Sequence, residues 1–294
     1  MRLRVLADGA RQRLEAAGLP RDEAALDAEL LARDVLGWDR ATWLTRRDDE
    51  ERDIDAERVG ARGGGAFRGS FEALVARRAQ REPMAYIRGR QEFYGREFLV
   101  GPGVLIPRPE TELVIDEATA AVRGRRAPRL ADVGTGSGCL AVTLALEVPS
   151  ATVIATDLSA TALTIARGNA AAHAVTAQVA FVETSYLTGI DGDFDVIVAN
   201  PPYVRERDAV TLAPEVRDHE PHLALFGGDD GLRDIRAVAK AATRALKPGG
   251  VLVMEIGSGQ AQAVTAVLTA VGLGSDLTIH RDLQGIPRVA VARL

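Results

Sequence analysis

The sequence predicts an α/β protein in two parts: a small N-terminal helical domain, then a doubly wound, mostly parallel sheet that closes on a C-terminal antiparallel hairpin. Three observations carry this. Leu26 and Leu30, then Leu31 and Val35, stand four apart with charges between them, the spacing of an amphipathic helix. From Leu130 onward, short β-branched runs alternate strictly with helical segments, the pattern of a parallel sheet with crossover helices. At the end, Leu277 and Ile279 alternate with polar neighbours and Pro287 leads into Val289 and Val291, giving two strands joined by a turn.

In order, residues 1–82 form the helical domain, interrupted by Gly60-Ala-Arg-Gly-Gly-Gly65 and Gly69, which read as a flexible cationic loop. Residues 83–107 form a β-hairpin linker, with Glu97-Phe-Leu-Val100 strand-like and Gly95, Gly101 and Gly103 as punctuation. The remaining domain, 108–294, opens on a helix to about Val122, with Pro109 near its first position and acids in its first turn, where capping accounts for them. Then come strand Leu130 to Val133, a helix from Cys139, strand Thr152 to Thr156, helix Ala160 to Ala172, and strands Gln178 to Val182 and Val196 to Ala199. Leu232, Ile235, Val238, Ala242 and Leu246 mark a helix stopped by Lys247-Pro-Gly-Gly250, before strand Val251 to Ile256 and a last helix over about 259–271.

With 294 residues, 47% hydrophobic and 26% charged, the chain buries a substantial core. A net charge of −5 offers no general attraction to nucleic acid or an anionic membrane. One cysteine, Cys139, allows no internal disulfide and no thiolate metal site. There is no apolar run of spanning length and no signal-like start, so the expectation is a cytoplasmic protein without a metal.

The stretch Asp195-Val-Ile-Val-Ala-Asn200-Pro201-Pro202-Tyr203 is a buried strand that stops at a stiff corner, because the prolines fix φ and bar a helix. The Asn200 side-chain oxygen and the Pro201 carbonyl can accept both N–H bonds of a planar NH2 group, with Tyr203 as a flat face against it. An Asn-Pro that only begins a turn is the plainer reading. Asp132-Val-Gly134-Thr135-Gly136-Ser137-Gly138 closes one strand and opens a helix, so that backbone N–H groups come close to a polar ligand. Asp157 ends the next strand, about 20 residues on, where a carboxylate accepts from ribose hydroxyls; Ser159 is equally placed to cap the helix, leaving the acid free. Cys139 stands where the dinucleotide fingerprint wants Gly or Ala, which counts against NAD. Strand order reverses at the centre of such a sheet, which sets the glycine loop and Asn200 side by side.

These residues resemble the class I S-adenosylmethionine-dependent methyltransferases that act on planar amino groups. The segments PMAYIRGRQEFYGREFLVGPGVLIPRPETE (83–112), EPHLALFGGDDGL (220–232) and LKPGG (246–250) are similar to the release factor protein-(glutamine-N5) methyltransferase family, and 27–37 resembles its N-terminal domain, which binds the release factor. The resemblance implies S-adenosylmethionine as methyl donor, with S-adenosylhomocysteine as product, and methylation of the glutamine in the Gly-Gly-Gln loop of class I release factors. It places Gly134, Thr135, Gly136, Ser137 and Gly138 around the methionine part, Asp157 on the ribose and Tyr186 near the adenine. Asn200 borders the cofactor, and Asn200, Pro201, Pro202 and Tyr203 form the catalytic corner that holds the substrate glutamine. One departure stands out: where the family has an acid and then an aromatic residue, this chain reads Thr184-Ser185-Tyr186. A monomer with no direct nucleic-acid contact is expected. Two other readings use the same residues: an N-methyltransferase for an exocyclic amine of a nucleic-acid base, and a cofactor-sensing module without catalysis.

His219 and His222 flank Glu220-Pro221 without a third metal ligand, and Gly227-Gly-Asp-Asp-Gly231 is too short for a calcium loop and reads as a turn before a helix. Cys139 reads as a small buried helix residue.

Overall fold

The computed structural model describes residues 1–59 and 66–294; the expected loop at Gly60 to Gly65 lies outside the described residues. The chain divides into two compact units, Met1–Gly89 and Arg90–Leu294. The division falls inside the 83–107 segment because Ile87 is buried in the core of the first unit, whereas Phe93 and Phe98 of the hairpin are buried in the core of the second.

The first unit is helical: α1 (Leu3–Ala16), α2 (Arg21–Leu36), α3 (Arg40–Arg46), α4 (Glu51–Val59), α5 (Phe67–Ala79) and α6 (Met84–Arg88). Gly69, expected in a loop, lies within α5. Helix α2 does not bury the leucine pair its spacing suggested, since Leu26 is 53% exposed. Its inward face is Ala24, Asp27, Ala28, Leu31 and Ala32, small residues that let neighbouring helices approach. Asp27 is tolerated there because Arg78 of α5 donates to it at 2.7 Å and neutralises it.

The second unit begins with the hairpin β1 (Arg90–Phe93) and β2 (Arg96–Leu99). Its turn, Tyr94-Gly95, has both residues at positive φ, 53° and 69°, the twist that two-residue hairpins require. After a 3-10 turn at Pro109–Thr111 the elements are α7 (Glu112–Ala121), β3 (Arg129–Val133), α8 (Cys139–Glu147), β4 (Thr152–Asp157), α9 (Ala160–Ala172), β5 (Val179–Glu183) and β6 (Phe194–Ala199). Then follow α10 (Pro214–His219), α11 (His222–Leu225), α12 (Arg233–Ala245), β7 (Leu246–Glu255), α13 (Ala261–Ala270), β8 (Asp276–Arg281) and β9 (Pro287–Arg293). Strand β7 starts earlier than expected, because Leu246 already pairs with Phe194 ahead of a register shift.

The seven strands run in the order β5-β4-β3-β6-β7-β9-β8, parallel up to β7 and antiparallel through β9 and β8. Central strands β3 and β6 are mostly apolar because both faces are covered, with Asp132 and Asp195 as their buried acids. On one face Leu130, Val153, Val196, Val198 and Val251 pack with Val114, Ile115, Leu140 and Leu144 of α7 and α8. On the other, Ala131, Val133, Ile197 and Leu252 pack with Ile235 and Val238 of α12 and Val264 and Leu268 of α13. Strand order turns back between β4-β3 and β6, and Val133 is in register with Ala199, so Gly134 and Asn200 leave adjacent strands at the same level, as the doubly wound reading required.

Candidate active site

A cavity of about 420 Å³ opens at this crossing, within the size range of small-molecule sites. Gly134, Thr135, Gly136, Ser137, Asp157, Tyr186, Asn200, Pro201 and Pro202 line it; Gly138 and Tyr203 do not. The loop N–H groups are mostly engaged within the protein. Gly134 and Thr135 both donate to the Thr156 carbonyl at 2.9 Å, and Gly138 donates to the Thr135 carbonyl at 2.8 Å. The value of the glycines is therefore conformation and closeness. Gly134, Gly136 and Gly138 have φ of 74°, 55° and 80°, and a Cβ on Gly138 would meet Ala166 Cβ at 2.9 Å. Beneath the loop the buried Asp132 carboxylate accepts from the Thr135 hydroxyl at 2.6 Å and from the Ala141 N–H at 3.1 Å, and burial pushes its pKa up to about 7.

Ser159 caps α9 by accepting from the Ala162 N–H, as expected, yet Asp157 is not left free by this. Its two oxygens accept from the N–H groups of Gly136 and Ser159, each at 2.9 Å. Asp157 thus fastens the glycine loop to the end of β4, and each carboxylate oxygen keeps a further lone pair for a hydroxyl in the cavity.

The Asn-Pro-Pro-Tyr corner is held from behind by a buried hydrogen-bond relay. The Asn200 amide donates to the Thr111 hydroxyl at 3.2 Å, Thr111 donates to Glu255 Oε2 at 2.5 Å, and the Tyr203 hydroxyl donates to Glu255 Oε1 at 3.1 Å. Glu255 is 2% exposed; burial raises its pKa, with the two hydroxyls pulling the other way. Because the Asn200 NH2 group is directed at Thr111, its acceptor oxygen is the atom turned away from the relay. Tyr203 is committed to Glu255 instead of facing the cavity, and burial drives its phenol pKa upward.

The segment after the corner braces it. Val204 donates to the Leu225 carbonyl and Gly227 to the Val204 carbonyl, both at 2.9 Å. A Cβ on Gly227 would stand 2.4 Å from the Pro202 carbonyl oxygen, and one on Gly231 2.3 Å from that of Tyr203. The Gly227 to Gly231 turn is shaped by this contact. Buried Glu220 accepts from the Ile106 N–H at 3.0 Å and from Arg108, tying two stretches of the cavity wall together.

Thr111, Glu220, Asp234 and Glu255 escaped the sequence reading. Glu255 had a signal, an acid ending an apolar strand as Asp157 does. Thr111 carries no signal of its own, and the acids beside it do more than cap the helix, since Glu112 accepts from the Tyr94 N–H of the hairpin. The His222 ring meets the Arg217 carbonyl, Cys139 lines the cavity, and no group of three or more His, Cys, Asp or Glu able to hold a metal occurs among the described residues. Cys139 is buried, which pushes its thiol up to about 12. No helix among the described residues is long and apolar enough to cross a membrane.

Residues 111–217 match the Methyltransferase small domain family, and residues 6–61 the PrmC N-terminal domain. The chain is 42% identical to a release factor glutamine methyltransferase of Koribacter versatilis over all of this chain and 99% of that one. It is 40% identical to one of Bradyrhizobium diazoefficiens over 92% of this chain and 89% of that one. Among solved structures, the hMettl16 catalytic domain in complex with a 3′UTR hairpin shares the fold, with a TM-score of 0.53 and 14% identity over 76% of this chain and 91% of that one. With this fold, and with relatives of that identity along nearly its whole length, the chain belongs to the release factor glutamine methyltransferase family.

Proposed function

We propose that the protein methylates the side-chain amide nitrogen of the glutamine in the Gly-Gly-Gln loop of class I peptide chain release factors. The observation that carries this is the Asn200 amide, which lines the cavity with its NH2 engaged on Thr111, leaving its oxygen as the unengaged acceptor. The residues fit S-adenosylmethionine: carboxylates for a ribose diol and an amino group, an apolar wall, and a loop whose glycines Gly134 and Gly136 present no Cβ to the cavity. When bound, S-adenosylmethionine supplies an electrophilic methyl group on a sulfonium sulfur. Gly134 to Ser137 cradle its methionine part, Gly138 packs the loop against α9, Asp157 accepts from the ribose hydroxyls and Tyr186 lies beside the adenine.

An amide nitrogen is a weak nucleophile because its lone pair is delocalised. The Asn200 oxygen and the Pro201 carbonyl accept its two N–H bonds, orienting it and stabilising the positive charge it gains. Pro202 keeps the corner rigid, and Tyr203 secures it through Glu255. No base has to act before attack, since the methylated amide loses its proton afterwards. The helical unit receives the release factor, and the protein works as a cytoplasmic monomer. A net charge of −5 argues against nucleic acid as the target. The test offers labelled S-adenosylmethionine with release factor, its Gln→Ala loop variant, and single- and double-stranded nucleic acid. Label confined to the unmodified release factor is expected; label on nucleic acid only, or equal label on the variant, refutes the proposal.

A further inference from the structure

We propose that Asp234 reads the exocyclic amino group of the donor's adenine, taking over from β7's side of the sheet the task for which the chain has no acid after β5. The inference rests on the cavity being the S-adenosylmethionine site. Two carboxylates are found among the described residues that line it, Asp157 and Asp234. Asp157 is bound up with the glycine loop through Gly136 and Ser159, on the side assigned to the ribose. Ser185, at the position of the missing acid, is not part of the lining.

Asp234 stands in the first turn of α12 with only 14% of its side chain exposed. Its Oδ1 accepts from the Tyr186 hydroxyl at 2.8 Å and its Oδ2 from Arg233 at 3.0 Å. These donors fix the carboxylate plane, and an ionised carboxylate has roughly four acceptor sites, so capacity remains for one more N–H. The surroundings suit a purine. Val133, Tyr186 and Val238 line the same cavity and belong to one apolar cluster, so a flat ring finds apolar walls and a single strong acceptor at its edge. Tyr186 therefore has two tasks, its ring forming the wall and its hydroxyl orienting the acid. An amino group in that place donates to Asp234. A carbonyl there meets a second acceptor and is repelled.

The test is calorimetric titration of S-adenosylhomocysteine and of its deaminated analogue S-inosylhomocysteine into wild type, Asp234→Ala and Asp234→Asn. Wild type is expected to prefer the amino compound by about 10- to 100-fold, the range for a hydrogen bond to a charged acceptor. Asp234→Ala should lose most of that preference while keeping or improving affinity for the inosyl compound, which shows at once that the variant is folded. Asp234→Asn, whose amide can donate to a carbonyl, should favour the inosyl compound more than wild type does. A wild-type ratio preserved in both variants overturns the role of Asp234 alone. Wild-type protein that binds neither compound overturns the cofactor reading, and this inference with it.

Discussion

Glu255→Gln tests whether the relay sets the direction of the Asn200 amide. A glutamate here accepts from both Thr111 and Tyr203. A glutamine accepts at one end only: with Oε1 still serving Tyr203, its NH2 must donate to Thr111. The Thr111 proton then turns toward Asn200 and asks for an acceptor, which reverses the Asn200 amide and points its NH2 into the cavity. If each neutral hydrogen bond contributes about 1 to 1.5 kcal/mol, reversal swings the two Asn200 orientations by about 2 to 3 kcal/mol. With half of that swing holding the amide in the wild type and half opposing it in the variant, the productive fraction, and with it kcat, should fall roughly 5- to 13-fold. S-adenosylmethionine affinity should stay within about twofold, since Glu255 is not part of the cavity lining. Single-turnover methylation with calorimetry separates these quantities. Thr111→Val cuts the relay, so adding Glu255→Gln to that background should have little further effect. A Glu255→Gln enzyme with wild-type kcat, or an undiminished effect in the Thr111→Val background, refutes the reasoning.

Asn200→Ala should lower turnover by about 10²-fold, the cost of one oriented acceptor, with little change in cofactor affinity; near wild-type turnover would make the corner purely structural. Asp157→Ala should weaken S-adenosylmethionine binding measurably by calorimetry in a folded protein, and because it also frees the Gly136 N–H, Asp157→Asn should recover part of the loss. Gly231→Ala, at φ 71° and against the Tyr203 carbonyl, should destabilise by about 2 kcal/mol or more in urea unfolding, whereas Gly124→Ala, with open space around it, should cost only its positive-φ strain. Asp132 has its pKa raised to about 7 by burial, so its contribution to stability is present below about 4 and is lost as pH rises toward 7. The stability difference between Asp132→Asn and wild type, measured by urea unfolding, should therefore move in the variant's favour by a few kcal/mol across that window.

What could be read from the sequence, and what could not, follows from the range over which each signal acts. Strand and helix order was legible because a strand covered on both faces is mostly apolar, and Leu130 to Val133, Asp132 apart, and Val196 to Ala199 say so locally. The crossing of Gly134 and Asn200 followed from topology alone. Helix α2 misled because alanines pack inward where helices approach closely, and the more hydrophobic Leu26 was left outside. The same limit explains Asp157: a strand-end acid was visible, but its bond to Gly136, 21 residues away, was not.

Thr111 and Glu255 lie 144 residues apart, and neither means much by itself. A threonine at a helix start has no signal of its own, and an acid near a strand end does not name its partner. Only their meeting under Asn200 gives the amide a direction, and a direction is what an amide must have if it is to accept where it could equally donate. The Asn-Pro-Pro-Tyr corner therefore supplies a rigid site, but the polarity of that site resides in two residues outside it. An engineered corner that copied Asn200 to Tyr203 without a hydroxyl and a carboxylate behind it would leave the Asn200 amide free to turn either way, and would lose the acceptor for about half of its population.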